Sequence, residues 1–175
     1  MRERIGWEAR ITIHKFRDPD RVREAKLREG WSPEEVALVY GGLIGKEIHE
    51  GNVALNEGLQ GIIDMICNLG SITPWDSGHA RVGVGDSSES ADATQTGLLG
   101  TNQAYAGMDS GYPTRDGQTA KWRGTFGTDQ ANFQWLEFTV DNGADEGRNL
   151  NRLVTDKGSK ASGETWTLEV DITFS

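Results

Sequence analysis

A single cysteine, Cys67, is present among the 175 residues, so the chain cannot form an internal disulfide. Long apolar runs are also missing, since no segment approaches the ~18 uninterrupted apolar residues of a membrane-spanning helix. The first residues carry mixed charge in place of the apolar core of an export signal. We therefore expect a protein that is made in the cytoplasm, has no membrane span and is not exported by a classical signal. Because Cys67 ends the apolar run 62–67, we expect its thiol to be buried.

Basic residues are too few for a nucleic-acid-binding surface. The chain has 18 Lys and Arg against 27 Asp and Glu, a formal net charge of -9, whereas a phosphate backbone is held mainly by Lys and Arg. We expect no direct nucleic-acid partner. The charge is uneven, because residues 1–50 are neutral overall and residues 51–175 carry the whole excess. This asymmetry predicts an N-terminal segment, 1–50, of different character from an acidic body, 51–175.

Proline is scarce and glycine is abundant, with 4 Pro against 23 Gly and no collagen-like period. A glycine content well above the average of roughly 7% is typical of a turn-rich fold and disfavours a helical bundle. The chain length is that of one ordinary domain.

Alternation of apolar and polar residues predicts strands in several segments. The clearest is 165–174, which ends one residue before the C-terminus, and Trp7–Phe16 alternates in the same way. Further strands are predicted at 44–50, 80–84, 119–126, 131–140 and 150–155, and the segment 131–140 is apolar on both faces, as a central strand is. Short antiparallel strands with turns between them predict a mainly β protein, an antiparallel β-sandwich that is jelly-roll-like.

Helix signals are confined to the first seventy residues. Ser32, Pro33 and Glu35 form an N-cap, a first-turn proline and a capping box, which predict a helix from Pro33 to about Tyr40. The charged run 21–30 is either an exposed helical turn or a solvated connection. These elements form a helical N-terminal insertion.

The main helix is predicted within residues 52–70, where it would pack against the sandwich. Its apolar residues recur at helical spacing: Leu55, Leu59, Ile62, Ile63, Ile66 and Leu69. Gly58 and Gly61 weaken this helix by about 1 kcal/mol each relative to Ala, so its stability must come from packing, and the glycines could allow a close backbone approach.

No catalytic or metal-binding motif is recognisable. His14, His49 and His79 lack a second ligand type at metal spacing, so no zinc site is predicted. The segment 83–87 resembles a phosphate loop only superficially, because no Gly-Lys-Ser/Thr follows. The segment 107–111 misses the G-x-S-x-G nucleophile elbow because its serine is one position too late. We therefore predict a non-enzymatic protein with no catalytic residues, no metal and no cofactor.

Two features leave alternatives open. Acidic residues concentrate in two loops that could supply calcium ligands, although solvated loops are the simpler interpretation: Asp86, Glu89 and Asp92 in one, and Asp141, Asp145 and Glu146 in the other. Several aromatic residues could line a sugar-binding groove, although a sandwich core is the simpler interpretation: Trp122, Phe126, Phe133, Trp135, Phe138, Trp166 and Phe174. A carbohydrate-binding or carbohydrate-cleaving module would need an exposed aromatic platform beside a convergent carboxylate pair.

The order of several segments resembles a recurring pattern in virion proteins of tailed bacteriophages. The pattern begins with Gly51–Gly58, Ala80–Asp86 and Ala93–Leu98. Later segments are similar too, namely Ala131–Glu137, Gly147–Arg152 and Lys160–Phe174, so the resemblance covers about residues 45–175. The segment Asp18–Leu43 departs from the pattern as a long insertion.

This resemblance implies a structural protein of the virion, made in the host cytoplasm. Such proteins are non-enzymatic β-sandwiches that often form rotationally symmetric oligomers. Our first hypothesis is a protein that decorates or cements the capsid through subunit–subunit contacts. The alternative is a tail-fibre, collar or baseplate attachment module, and the third hypothesis is a carbohydrate-binding host-recognition module. The implied partners are other copies of the chain, with a trimer as one candidate, and the major capsid protein or tail proteins.

Residues 1–50 are the predicted interface arm. Trp7, Trp31 and Tyr40 are its candidate buried anchors, because aromatic residues dominate interface energetics. The alternative, that Trp7 and Trp31 pack on their own sheet, is equally compatible with the sequence.

Overall fold

Ten strands in two five-stranded antiparallel sheets form a β-sandwich in the computed structural model, which describes residues 6–144 and 147–175. The strands are β1 (Trp7–Arg17), β2 (Leu43–Glu50), β3 (Val53–Ala54), β4 (Arg81–Gly85), β5 (Gln103–Gly107), β6 (Thr114–Asp116), β7 (Thr119–Phe126), β8 (Glu137–Asp141), β9 (Asn151–Val154) and β10 (Glu164–Phe174). The first sheet has the order β2-β1-β10-β7-β6 and the second has the order β3-β9-β8-β4-β5. The predicted mainly β sandwich is confirmed.

The strands nearest the two ends of the chain pair with each other. β1 and β10 align over eleven residue pairs, from Trp7 opposite Phe174 to Arg17 opposite Glu164. Both strands were predicted from their alternation, and both lie in the middle of the first sheet. β1 is therefore an integral strand of the sandwich although it lies within the first fifty residues.

The core lies between the sheets and is rich in aromatic rings. Trp135 is fully buried and packs edge-on against Phe126 and Trp166, with ring centroids 5.0 and 4.8 Å apart. Trp122 and Trp166 are buried as well. The interpretation of these tryptophans as core residues is confirmed, which removes them as a platform for a sugar ring.

Two short helices, α1 (Val22–Arg28) and α2 (Pro33–Tyr40), pack on the outer face of the first sheet. Phe16, Leu27 and Val36 form a small apolar cluster beneath them. The predicted capping box is present, since Glu35 N–H donates to Ser32 Oγ at 3.2 Å and Ser32 N–H donates to Glu35 Oε2 at 2.9 Å. The charged run 21–30 forms α1, whose Leu27 supplies the buried anchor.

The third helix, α3 (Asn56–Cys67), contacts the sandwich mainly through its glycines. A Cβ atom added at Gly58 would lie 2.5 Å from Asn149 O, and one added at Gly61 would lie 2.7 Å from Trp75 Cη2. The predicted close backbone approach is therefore confirmed. Because this contact turns the glycine face inward, several residues of the apolar row point away from the sandwich. The prediction that this row packs against the sandwich is wrong for four of its members, which are exposed: Leu59, Ile63, Ile66 and Leu69.

The position of Cys67 also differs from the prediction. Its side chain is exposed at the end of α3, so the prediction of a buried thiol is wrong. The helix is held by its N-terminal half, where Gly58 and Gly61 are buried, and its last turn extends beyond that contact.

We expect Gly58→Ala to lower the free energy of unfolding by about 1–2 kcal/mol. The added methyl group would have to displace the backbone of Asn149 and Leu150, and overpacking of this kind costs more than the ~1 kcal/mol that alanine gains in a helix. Urea denaturation would measure the change. Gln60→Ala, at an exposed position of the same helix, is the control and should be neutral or slightly stabilising. A Gly58→Ala protein as stable as the Gln60→Ala protein would contradict the close approach.

Candidate functional site

The three predicted anchors all contact their own domain. Trp7 packs edge-on against Phe174 with ring centroids 5.0 Å apart, and its indole N–H donates to Asn52 Oδ1 at 3.2 Å. Trp31 and Tyr40 lie 6.0 Å apart and pack against the cluster beneath α1 and α2. Trp7 belongs to the main core instead, so the structure does not bring the three together. Their participation in an interface stays a prediction.

A different set of apolar side chains is exposed within the first fifty residues. Leu38 is 86% exposed at the end of α2, and its neighbours in this group are at least two-fifths exposed. We name the group the α2–β2 surface: Leu38, Val39, Leu43, Ile44 and Ile48. The sequence contained a signal for this exposed group. Four consecutive apolar residues, Val36–Val39, point in different directions around a helix, so they cannot all face one cluster.

The α2–β2 surface lies beside a sheet edge. Within the part of the chain that the structure describes, β2 pairs only with β1. Two of its charges are paired internally, since Lys46 Nζ lies 2.9 Å from Glu34 Oε1, and Glu47 pairs with Lys15 and Lys157. An apolar patch beside an open strand edge is the kind of surface that another polypeptide covers.

The second exposed apolar group lies on and just beyond α3. Ile66 is 78% exposed, and we name the group the α3 surface: Leu59, Ile63, Met65, Ile66 and Leu69. An apolar cavity of about 420 Å³ adjoins it, where Ile62, Trp75 and Phe174 contribute to the lining.

The outer face of the first sheet also carries a polar groove. α1 and α2 cover one half of this face, and the open half contains cavities of about 500 and about 280 Å³. Arg10 lines both cavities. Arg10 donates to Asp171 Oδ2 at 2.6 Å, and Tyr112 donates its hydroxyl proton to Glu169 Oε2 at 2.9 Å.

Burial perturbs several groups around this groove. Burial raises the pKa of Glu169, and the nearby charge of Asp171 raises it further. Burial also raises the pKa of Tyr112 to about 12, so its hydroxyl stays protonated and can donate. At His14, burial lowers the pKa although Glu34 opposes the change from 3.1 Å. Perturbed groups in a cleft are candidate binding groups, although structural ion pairs perturb pKa values too.

His14 should make the stability depend on pH in a defined window. Its folded-state pKa lies below the unfolded value of about 6.5, so the unfolded chain takes up its proton first as the pH falls. The contribution of His14 is complete above about pH 6.5 and is lost as the pH falls toward the folded-state value. We expect the free energy of unfolding to fall as the pH drops below about 6.5 in the parent protein and to change less in His14→Gln. Denaturation series of both proteins at several pH values would measure this difference. Equal slopes for the parent protein and His14→Gln would contradict it.

The acidic loops are organised by hydrogen bonds to neighbouring residues. Asp86 accepts from Asn102, and Asp92 accepts from Thr94. Among residues 6–144 and 147–175, no group of three or more His, Cys, Asp and Glu side chains is placed to hold a metal ion. Asp145 and Glu146, which belonged to the second calcium alternative, lie outside the described residues.

None of the helices that the structure describes is long and apolar enough to cross a membrane. Comparisons of the chain with protein-family models, with curated proteins and with solved structures find no match. A functional proposal therefore depends on the surfaces described above and on the sequence pattern.

Proposed function

We propose that the protein is a non-enzymatic structural protein of a tailed-bacteriophage virion, which decorates the capsid through subunit–subunit contacts. The observation that carries the proposal is the α2–β2 surface, because five apolar side chains exposed beside a strand edge are costly to leave in water. The virion assignment is supported by the order of segments between residues 45 and 175 that resembles phage structural proteins.

A second copy of the chain is the occupant that fits the α2–β2 surface best. The charges of Lys46 and Glu47 are already paired within the chain, so the part of the strand between Leu43 and Ile48 offers little charge for an oppositely charged partner. Apolar surfaces of this kind form self-complementary interfaces between identical subunits.

The register of β2 suggests how two copies meet. Lys46 and Ile48 share the outer face of the sheet, because they pair with the outer-face residues His14 and Thr12 of β1. Ile44 lies at a register shift of the β1–β2 pairing and is half exposed beside them. An antiparallel two-fold pairing centred on Lys46 would set Ile44 of each copy opposite Ile48 of the other. Each Lys46 would keep its own Glu34, 2.9 Å away, which offsets the repulsion between the two ammonium groups.

Light scattering with mass determination tests the self-association. We expect an oligomer for the parent protein and a monomer for Ile44→Glu, because a charge at the contact would have to be desolvated. Ile63→Glu is the matched control, since Ile63 is exposed to a similar extent on the α3 surface. It should keep the parent mass. A monomeric parent protein at high concentration would overturn the self-association, and a mass change confined to Ile63→Glu would move the interface to α3.

Co-pelleting with empty capsids tests the decoration. Saturable binding at hundreds of copies per particle, lost in Ile44→Glu, is expected of a subunit that attaches to the shell as an oligomer. An oligomer that ignores capsids would refute decoration and favour the alternative, a tail-fibre, collar or baseplate module, which is present in few copies.

A further inference from the structure

The larger cavity of the polar groove carries more negative than positive charge. It measures about 500 Å³ and lies on the half of the outer face that α1 and α2 leave open. Cavities of this size are typical of small-molecule sites in proteins. Two cations, Arg10 and Lys121, line the cavity together with four carboxylates, namely Glu8, Glu50, Asp116 and Asp171. This excess of negative charge favours a cationic ligand over a neutral one.

The strand register divides these charged groups into two rows across the first sheet. One row runs from β2 to β7 through Glu50, Arg10, Asp171 and Lys121. Side chains that are directly opposite in antiparallel strands share one face and are neighbours, so each carboxylate of this row lies beside a cation. Arg10 donates to Asp171 Oδ2 at 2.6 Å. Because carboxylates and cations alternate in equal number, this row is neutral overall.

The neighbouring row has a carboxylate at each end and no cation. It runs from Glu8 of β1 through Thr173 and Thr119 to Asp116 of β6. Glu8 and Asp116 are exposed, and neither forms an ion pair with another residue in the ranges 6–144 and 147–175. The hydroxyl oxygens of the two threonines lie 2.7 Å apart. The excess negative charge of the cavity therefore belongs to this row.

Asp171 adds an unsatisfied acceptor to the same cavity, which its side chain lines. This side chain is only 5% exposed. Its Oδ1 atom is buried and has no hydrogen-bond partner within the part of the chain that the structure describes. An unsatisfied buried polar atom is costly, so this oxygen needs a donor. An ammonium N–H is a strong donor to a carboxylate, because both groups are charged.

The positions of Glu8 and Asp116 define the length of the ligand. Their strands, β1 and β6, are three steps apart in the sheet, so at about 4.8 Å a step their backbones are separated by about 14 Å. A single ammonium ion cannot contact both carboxylates. A linear triamine with nine bonds between its end nitrogens is as long as three extended residues, about 10–11 Å. A charge-assisted hydrogen bond of about 2.8 Å at each end extends this reach to about 16 Å.

We infer that the cavity binds a linear polyamine, whose end ammonium groups pair with Glu8 and Asp116 and whose central ammonium donates to the hydroxyl oxygens of Thr119 and Thr173. Each hydroxyl oxygen has two acceptor lone pairs, so it can accept from the ligand. A metal ion fits less well, since no group of three or more His, Cys, Asp and Glu side chains is placed to hold one among the described residues. This binding goes beyond the proposed assembly role and does not depend on it.

Titration of spermidine into the isotope-labelled full chain, followed by NMR, tests the inference. We expect saturable shifts at residues 8, 116, 119 and 171–173, and weaker binding at high salt because exposed charges are screened. The diamine 1,3-diaminopropane is too short to reach both carboxylates and should bind more weakly. Triethylene glycol is a neutral chain of similar length and should give no shifts.

Two variants at exposed positions leave the core unchanged. Glu8→Gln and Asp116→Asn should each weaken spermidine binding by about fivefold. The double variant should weaken it by about twentyfold, because the two sites are far apart and independent. Glu89→Gln is the control, since it removes the same charge from an exposed position outside the groove. It should bind spermidine like the parent protein.

Four results would overturn the inference. They are the absence of spermidine binding at low salt, shifts confined to residues outside the groove, unchanged affinity in the folded double variant, and an equal loss of affinity in Glu89→Gln. Groove shifts with triethylene glycol and none with spermidine would assign a neutral ligand and would overturn it too. A lysine-rich peptide that binds the groove more tightly than spermidine would instead assign this surface to a basic segment of a partner protein.

Discussion

Replacing Arg152 with methionine is expected to lower the free energy of unfolding by about 3–5 kcal/mol, because it leaves a buried carboxylate without its cation. The side chains of Arg152 and Glu137 are both fully buried, and Arg152 Nε lies 2.8 Å from Glu137 Oε2. Methionine fills much of the same volume but offers no donor. Urea denaturation would measure the loss.

The same variant should loosen a specific loop. Arg152 Nη1 donates to Glu89 O and to Gln95 Oε1, both at 2.9 Å, and Glu137 accepts from the backbone N–H groups of Leu99 and Gly100. The ion pair therefore joins β8 and β9 to the loop between β4 and β5. We expect faster hydrogen exchange in residues 86–102 of Arg152→Met.

Two further variants separate the ion pair from a general effect of the substitution. Arg21→Met removes the exposed pair with Asp129 and should cost less than about 1 kcal/mol. The double variant Arg152→Met/Glu137→Leu removes both charges and should regain part of the loss. An Arg152→Met protein within about 1 kcal/mol of the parent would show that the pair is not essential to the fold.

Elements with strong local signals could be predicted from the sequence. The strand predicted at 165–174 is observed at Glu164–Phe174, and the helix predicted from Pro33 to Tyr40 has those bounds. Both signals are local, since alternation places every second residue on one face and the capping box satisfies its own backbone donors.

Elements that depend on partners could not be predicted. β5 (Gln103–Gly107) and β6 (Thr114–Asp116) are short edge strands without a row of large apolar residues, and β6 is exposed throughout. They are strands because β4 and β7 offer backbone hydrogen bonds to them. The orientation of α3 was missed for a related reason. Gly58 and Gly61 indicated a close backbone approach, but the sequence could not show that this contact, with Asn149 and Leu150, would turn the apolar row away from the sandwich.

The partners of the charged residues could not be predicted from the sequence either. Arg10 and Asp171 are 161 positions apart in the chain, so only the pairing of β1 with β10 brings them into one groove. Glu137 did carry a signal, because it lies between Leu136 and Phe138 in a segment that is apolar on both faces. A charge in such a segment must be paired, but the sequence does not say with which residue.

Replacing Arg123 with methionine should have the second large effect, again about 3–5 kcal/mol near neutral pH. Arg123 is almost fully buried and its Nε lies 2.8 Å from Asp109 Oδ2. Its Nη2 donates to Leu27 O at 3.1 Å and to Trp31 O at 3.0 Å. These bonds attach the helical insertion to the sheet, so the α2–β2 surface should lose its fixed position. We expect faster hydrogen exchange across residues 22–40 and weaker self-association.

The pH dependence of this variant identifies the cause of the loss. Burial already raises the pKa of Asp109 above its usual range, although Arg123 opposes the change. Without Arg123 the pKa should rise further, so that the protonated carboxyl is favoured in the folded state. A carboxyl group whose pKa is raised by folding contributes its full stabilisation at a pH below its unfolded-state pKa, about 3.9 for Asp. This contribution is lost as the pH rises through the folded-state pKa. The deficit of Arg123→Met should therefore be larger at pH 7 than at about pH 5.

Arg21→Met is the control, because it removes an exposed arginine at the start of the same insertion and should cost less than about 1 kcal/mol at both pH values. A deficit of Arg123→Met that does not change with pH would assign the loss to the bonds with Leu27 and Trp31 instead of to Asp109. A protein that keeps the parent stability, exchange and mass would show that the insertion, and with it the α2–β2 surface, is held by the apolar cluster of Phe16, Leu27 and Val36 alone.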